Sequence, residues 1–270
     1  MTTLNQLALS VLGTAEASEK ARLSRKSADL WRQTPDMPVG SGTPADRPAR
    51  PARPDLLSPM DMPRRRGISE KARAALLHAV LHIELNAIDL AWDMIARFTN
   101  EGFPREFYDD WVSVADEEGK HFGLLADRLA ELGFAYGDFP AHDGLWEAAF
   151  ETRHDIAARL AIVPMVLEAR GLDVTPGMIK RFAKIEDFAS ANILKVILDE
   201  EIGHVATGNR WFQFICNKMK YDPKEYWQKL VRKNFKGLLK PPFNENARKQ
   251  ANLPPDYYLP LSIRDDPSVK

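Results

Sequence analysis

The sequence predicts an all-α fold: an antiparallel bundle of four long helices built from a duplicated helix pair, with N- and C-terminal extensions that wrap the bundle. Three observations predict it. Apolar residues recur at steps of three and four through four long stretches, which is the spacing of a buried helix face. Two of these stretches contain nearly the same acidic phrase. Each phrase is preceded, one helix earlier, by a lone glutamate in an apolar run.

The repeated phrase ends in a glutamate and a histidine three residues apart. The first copy is Asp116-Glu117-Glu118-Gly119-Lys120-His121, and the second is Asp199-Glu200-Glu201-Ile202-Gly203-His204. The lone glutamates are Glu84 and Glu168. Each lies 33 or 34 residues before its own Glu-x-x-His motif, so the sequence indicates an internal duplication of a helix pair.

This spacing is suited to binding a metal ion. Residues i and i+3 of an α-helix lie on one face, so Glu-x-x-His directs a carboxylate and an imidazole toward the same point. Two such helices, with one glutamate from each of two others, supply four carboxylates and two imidazoles. The predicted ligands are therefore Glu84, Glu118, His121, Glu168, Glu201 and His204.

The apolar pattern predicts that these ligands point inward, because each occupies a core position of its helix. The four rows read Leu77, Val80, Glu84, Ala87, Ala91, Ile95 and Phe98; Trp111, Val114, Glu118, His121, Leu125, Leu129 and Leu132; Ala157, Leu160, Pro164 and Glu168; and Leu194, Ile197, Glu201, His204, Gly208, Trp211 and Ile215. A buried, unpartnered carboxylate costs several kcal/mol. Four of them would unfold a domain whose stability is roughly 5–15 kcal/mol, and two divalent cations would balance their charge.

Two other histidine patterns are interpreted as structural. Glu151 and His154 form a third Glu-x-x-His, but it has no duplicate and no acidic residue before its glutamate. His78 and His82 are four residues apart, a spacing that can hold a metal, yet no glutamate stands where a zinc protease needs one. We expect these two to be satisfied core or surface histidines.

The motifs resemble those of the ferritin-like di-iron proteins over roughly residues 68–218. The phrases His82-Ile83-Glu84-Leu85-Asn86 and Asp199 to His204, with the Pro- and Arg-rich stretch 51–66 and Pro241-Pro242-Phe243-Asn244, are similar to a bacterial family of unknown function related to a tRNA-hydroxylating di-iron monooxygenase. The resemblance implies a ferritin-like bundle. It also implies that Glu117 and Glu200, which precede the ligand glutamates, hold the histidine of the opposite helix and raise its basicity.

The chain is expected to divide into three parts: N-terminal helices and a Pro/Arg-rich arm over 1–67, the di-metal bundle over 68–219, and a helical and extended tail over 220–270 that covers the bundle. The predicted helices are 3–13, 16–32, 69–99, 104–133, 144–171 with a kink at Pro164, 175–186, 187–219, 223–234 and 243–250, followed by extended chain over 253–261.

The sequence also predicts a cytoplasmic protein. The N-terminus lacks a charged lead-in followed by an apolar stretch, and no run reaches the roughly 18 uncharged apolar residues of a membrane span. The single cysteine, Cys216, lies in an apolar helical run and fits a reducing compartment as a small buried hydrophobe.

Charge is unevenly distributed along the chain. Residues 1–67 carry 11 Lys and Arg against 7 Asp and Glu, and residues 218–270 carry 12 against 6, whereas the bundle between them carries 14 against 25. The favoured interpretation is that the basic arms fold back onto the acidic bundle. The alternative is an electropositive rim for an anionic substrate, even RNA, formed by Arg64, Arg65, Arg66, Lys229, Arg232, Lys233, Lys236 and Lys240.

The ligand set favours two iron ions, with manganese or a mixed manganese and iron pair as alternatives. The predicted function is an O₂-activating oxygenase or oxidase acting on a small organic or nucleoside substrate, with an electron donor. Ferritin-type iron storage or detoxification and a manganese catalase are the alternatives. The long extensions and Gly208, which leaves space on the core row, favour the oxygenase, although close packing explains Gly208 equally well. Trp111 and Trp211 are interpreted as core residues. A monomer or dimer is expected.

Overall fold

The computed structural model describes residues 2–63 and 67–262. The described residues are helical, and their β interaction is an isolated bridge between Leu56 and Ala141. The predicted all-α class is therefore confirmed. The predicted rim residues Arg64, Arg65 and Arg66 lie outside the described residues.

The chain forms two compact units, Met1–Phe150 and Glu151–Lys270. The helices that begin in unit 1 are α1 (Leu4–Leu12), α2 (Ala17–Gln33), α3 (Glu70–Arg97), α4 (Arg105–Glu131) and α5 (Gly144–Glu151). Those of unit 2 are α6 (Ile156–Ile162), a π-helical segment (Val163–Glu168), α7 (Ala169–Lys184), α8 (Phe188–Met219), α9 (Pro223–Asn234), α10 (Glu245–Gln250), α11 (Pro255–Tyr258) and a 3₁₀ turn (Leu259–Leu261). The predicted boundaries after residues 67 and 219 do not coincide with this division, and the three-part description stays a prediction.

Unit 1 is built around the long pair α3 and α4, with α1 packed on α3 and α2 packed on α4. Ser69 begins α3, because its side-chain oxygen accepts a hydrogen bond from the Ala72 amide. The basic N-terminal residues pair with acids of this unit: Arg25 and Arg32 reach Asp116, and Arg47 reaches Asp143. Within unit 1 the N-terminal arm thus folds back onto the helices, as the favoured interpretation of the charge pattern expected.

Helix α3 is long and apolar enough to cross a membrane by length and composition alone, and it is the one helix among the described residues that passes this test. However, 78% of its apolar window is buried inside the protein, as in the core helix of a soluble protein. A cytoplasmic location stays a prediction.

Unit 2 is built around the pair α7 and α8, and its C-terminal helices pack onto that pair and onto α6. Asp187 begins α8 by accepting a hydrogen bond from the Ser190 amide. In the tail, α9 packs on α6 and α8, while α10 packs on α7 and α8.

The predicted continuous helix over 144–171 is wrong. The chain turns after Glu151, and Asp155 starts a new helix by accepting a hydrogen bond from the Ala158 amide. Gly171 does not end a helix, because it lies inside α7, which packs along α8 and continues to Lys184. The helix predicted over 175–186 is therefore the second half of α7 and not a separate element.

Two further expectations also change. Pro164 lies at the start of a π-helical segment, so the predicted kink is a local change of helix type. The stretch 253–261, predicted as extended, forms α11 and the 3₁₀ turn. Pro255 suits the first helical position, and the buried Tyr257 and Tyr258 fix that turn on the unit.

Candidate metal centre

The first set of predicted ligands lies in unit 1 on the facing helices α3 and α4. Glu84 is 2% exposed, and Glu118 and His121 are fully buried. The apolar neighbours predicted for the same two rows are buried as well, so the sequence register correctly placed these polar groups in the core. We call Glu84, Glu118 and His121 the first half-site.

The first half-site is compact. His121 Nδ1 lies 3.3 Å from Glu84 Oε2 and 3.4 Å from Glu118 Oε2. One potential ligand atom from each of the three side chains lies within 4.8 Å of the others. The three residues therefore form a buried cluster that could bind a metal ion.

The electrostatic environment of this cluster favours added positive charge. Burial, together with the nearby charge of Glu118, raises the pKa of Glu84 well above its usual value. Burial by itself would lower the pKa of His121, but hydrogen bonds and charge from Glu118 and Glu84 raise it to about 11. The two glutamate side chains therefore favour the protonated form of His121.

The second set of predicted ligands lies in unit 2. His204 is 1% exposed and its Nδ1 lies 3.5 Å from Oε1 of Glu201, one turn earlier on α8. The Glu201 side chain is 13% exposed, and Glu168 is half-buried. We call Glu168, Glu201 and His204 the second half-site, and it is more open than the first.

Glu168 is the last residue of the π-helical segment Val163–Glu168. The Ala169 amide donates to the carbonyl of Pro164, five residues earlier, which is the π-type spacing. Such single-turn segments occur often at functional sites. The apolar periodicity of the sequence contained no signal for this segment except Pro164 itself.

Gly208 lies against this segment. A Cβ atom at Gly208 would lie 2.4 Å from both Cβ and Cγ of Pro164. Close packing therefore explains this glycine, and the expected open space beside it is wrong. Trp111 and Trp211 are 2% and 3% exposed, which agrees with their interpretation as core residues.

The residues interpreted as structural behave accordingly. Glu151 and His154 are both exposed. His82 is buried, with Nδ1 at 2.8 Å from the Tyr136 hydroxyl and Nε2 at 3.2 Å from the His142 carbonyl oxygen. Glu117 and Glu200 are half-buried beside their ligand neighbours. Their contact with histidines of opposite helices stays a prediction.

Sequence reasoning missed a buried polar network in unit 1. Lys20 Nζ lies 2.5 Å from Asp89 Oδ1. Arg50 Nη2 donates a hydrogen bond to Asn86 Oδ1 at 2.7 Å and lies 3.3 Å from Asp89 Oδ2. Burial lowers the pKa of Lys20 and raises the pKa of Asp89, and the attraction between the two opposes both shifts. The available signal was a second polar row on α3, formed by His82, Asn86 and Asp89 at steps of four and three.

The fold and the cluster define an all-helical protein with a buried glutamate and histidine site that could hold metal. The chain belongs to the family described as "Protein of unknown function (DUF455)", whose model matches residues 13–259. It is 45% identical over 210 residues to an "Uncharacterized protein" of Haemophilus influenzae, covering 76% of this chain and 73% of the relative. No solved structure matches. The predicted resemblance to a family of unknown function is thereby confirmed.

Proposed function

We propose that this chain is a ferritin-like di-iron, or mixed manganese and iron, carboxylate protein that acts as an O₂-activating oxygenase or oxidase. The observation that carries the proposal is the first half-site, in which two carboxylates and an imidazole meet at the centre of a helix pair away from water. In this proposal Glu84, Glu118, His121, Glu168, Glu201 and His204 would share one centre in a four-helix bundle, the ligand arrangement of ferritin-like di-metal proteins.

The donor chemistry fits iron or manganese. Carboxylate oxygens and imidazole nitrogens suit these metals, and a site without thiolate does not favour thiol-seeking ions. The pKa values of Glu84 and His121 are both raised, so the cluster favours added positive charge, and bound metal cations would supply that charge. When bound, the metals would supply the redox chemistry with O₂.

The residues of the chain bind and orient these metals and exclude water. Glu84, Glu118 and His121 are held by buried neighbours on α3 and α4, so their positions are fixed before metal arrives. Glu117 and Glu200 are proposed to fix the orientation of the ligand imidazoles. The partly exposed Glu168 and Glu201 provide the side from which a substrate and O₂ reach the centre.

An oxygenase or oxidase is favoured over a storage protein because the second half-site departs from a regular helix. The π-helical turn ends at the proposed ligand Glu168, and such single-turn segments occur often at functional sites. Long extensions in both units add chain for a substrate pocket. Iron storage or detoxification and a manganese catalase activity are the competing functions.

The proposed substrate is a small organic molecule or a nucleoside, with an external electron donor. Binding of RNA is disfavoured, because several arm cations pair with acids of their own unit. The described residues of the proposed rim are exposed: Lys229, Arg232 and Lys233 on α9, and Lys236 and Lys240 after it.

Metal analysis tests the proposed centre directly. The protein is loaded anaerobically with Fe(II), freed of excess metal and analysed for iron per chain, beside Glu118→Gln and the matched surface variant Glu151→Gln. We expect about two irons in the wild type and in Glu151→Gln, and a clear loss in Glu118→Gln, because a neutral amide is a poor ligand. Equal iron in all three proteins would refute the centre.

Native mass and O₂ uptake separate the competing functions. A monomer or dimer that consumes O₂ only when both Fe(II) and an electron donor are supplied supports the oxygenase or oxidase. A large hollow assembly that accumulates many irons per chain supports storage. Rapid decomposition of hydrogen peroxide by the manganese form supports the catalase.

A further inference from the structure

The π-helical segment of unit 2 is held by residues that come from the C-terminal tail. Its geometry needs such support. Pro164 has no N–H, so the carbonyl four residues before it has no α-helical donor. The change from four-residue to five-residue hydrogen-bond spacing across Val163–Glu168 disturbs the ladder further.

Trp227 of α9 supports the N-terminal side of the segment. Its side chain is fully buried, and its Nε1–H donates to the carbonyl oxygen of Ala161 at 3.2 Å, two residues before the segment begins. Indole nitrogen is a donor only, so burying it requires an acceptor. Ala161 provides that acceptor, and the bond fixes both partners.

Arg248 of α10 supports the C-terminal side. Its Nε and Nη2 donate to the two carboxylate oxygens of Asp173 at 2.8 and 2.7 Å, and Nη2 also lies 3.4 Å from the carbonyl oxygen of Ala169. Ala169 directly follows Glu168. The guanidinium lies 4.5 Å from the ring centre of Tyr258 and 5.2 Å from that of Phe243, so two aromatic residues of the tail pack against this arginine. A paired and buried fork of this kind fixes geometry well.

Gly208 of α8 is the third contact of the segment. Because glycine has no side chain, Pro164 can pack directly against the backbone of α8 at this position. Three elements therefore hold six residues of irregular helix. The two polar contacts reach carbonyls at the two ends of the segment, while Glu168 itself lies between them.

We propose that Trp227 and Arg248 are positioning residues that set the direction of Glu168 toward the metals by fixing the carbonyls of Ala161 and Ala169. This inference rests on the proposed function, since it gives the tail a role only if Glu168 is a ligand. It assigns the C-terminal tail a task beyond covering apolar surface. Supporting residues around metal ligands typically change metal affinity 10- to 100-fold when altered.

The test compares two tryptophans with the same kind of bond. Trp227→Phe keeps the ring and removes the donor. The control is Trp146→Phe in unit 1, where Trp146 is 2% exposed and its Nε1–H donates to the Asp46 carbonyl oxygen at the same 3.2 Å. Both proteins are titrated with Co(II), and the visible absorption, which reports ligand geometry, is recorded with the affinity.

We expect Trp227→Phe to weaken Co(II) binding by roughly 10-fold or more and to change its absorption spectrum, while Trp146→Phe leaves both unchanged. Arg248→Lys, which keeps the charge but loses the fork, should move the spectrum in the same direction. If wild type and Trp227→Phe bind Co(II) with identical spectra and affinities, the positioning role is wrong and the metal centre stands. If the wild type binds no Co(II), both proposals fall.

Discussion

The two half-sites contain the same ligand types but differ in their surroundings. In unit 1, Glu118 and His121 are fully buried on a regular helix, and burial raises the pKa of Glu84 well above its usual value. In unit 2, Glu201 is 13% exposed and Glu168 ends a π-helical turn. The difference teaches that a duplicated motif can keep the same residue types while one copy is fully buried on a regular helix and the other is partly exposed beside an irregular one.

The repeat also identifies the residues that changed. The offset that relates Glu84 to Glu168 relates Val80 to Pro164. The offset that relates Glu118 to Glu201 relates Leu125 to Gly208. Two ordinary core residues in the first copy thus correspond, in the second, to the proline that begins the π-helical segment and the glycine that gives it room.

The largest expected effect concerns the two proposed ligand histidines, His121 and His204. His121→Ala removes the positive partner of two buried carboxylates, so the metal-free protein should lose about 3–5 kcal/mol of unfolding free energy. His204→Ala should cost less, because Glu201 keeps partial contact with water. Both variants should lose metal. Urea unfolding with a chelator present measures the stabilities, and metal analysis measures the loss.

The matched control for this pair is His154→Ala, which removes an exposed histidine from the unduplicated Glu-x-x-His. It should change neither stability nor metal content. Equal destabilisation by His121→Ala and His204→Ala would contradict the distinction between a buried and a partly exposed half-site.

Much of the regular structure could be predicted from sequence, because it depends on local periodicity and caps. The predicted ends of α3, α4 and α8 agree closely with the structure, and the core rows that carry Glu84, Glu118 and His121 are buried as expected. These features follow from apolar steps of three and four and from cap residues such as Ser69.

The features that could not be predicted depend on residues distant in sequence. The π-helical segment packs against Gly208, and Trp227 bonds to the carbonyl of Ala161 just before it. The buried partner of Asp89 is Lys20, 69 residues earlier. No helical period encodes such pairs. The helix break before α6 did have a local signal, because Asp155 is a residue type that favours helix N-caps. The apolar pattern continues across this position and therefore suggested one unbroken helix.

The second expected effect compares one glycine of α8, Gly208, with one glycine of α4, Gly123. Gly208→Ala would force a methyl group into Pro164, and overpacking of this kind typically costs about 1–3 kcal/mol. In Gly123→Ala the new Cβ meets nothing within 4 Å, and replacing a mid-helix glycine should stabilise by roughly 0.5–1 kcal/mol. Thermal unfolding of both variants tests this. Similar stability changes would mean that the π-helical segment yields easily.

The third expected effect is a loss of stability in acid, which we attribute to the buried His82 of unit 1. Burial, with the charge of Arg50, lowers the pKa of His82 to about 3, so the folded protein keeps this imidazole neutral while the unfolded chain protonates it below its ordinary value of 6.5. Stability should therefore fall as pH drops from about 6.5 toward 3, by up to roughly 1.4 kcal/mol per pH unit from this group. His82→Asn should flatten that slope in chelator-treated protein, whereas the exposed His154→Asn should leave it unchanged. Parallel slopes in all three proteins would contradict the assignment.

The smallest expected effect concerns the solvent accessibility of Cys216. It tests whether α8 as a whole opens to solvent, or whether exposure in unit 2 is confined to the residues near the π-helical turn. Cys216 lies on α8, three turns beyond His204, and is fully buried. Burial, with the nearby charge of Asp222, raises the pKa of its thiol to about 11, so at about pH 8 the reactive thiolate is scarce. A disulfide reagent should therefore leave the native protein nearly unmodified, yet label one thiol per chain in concentrated guanidinium. Rapid labelling of the native protein would show that α8 itself opens. In that case the exposure of Glu201 would reflect a mobile helix rather than a built entrance to the metal centre.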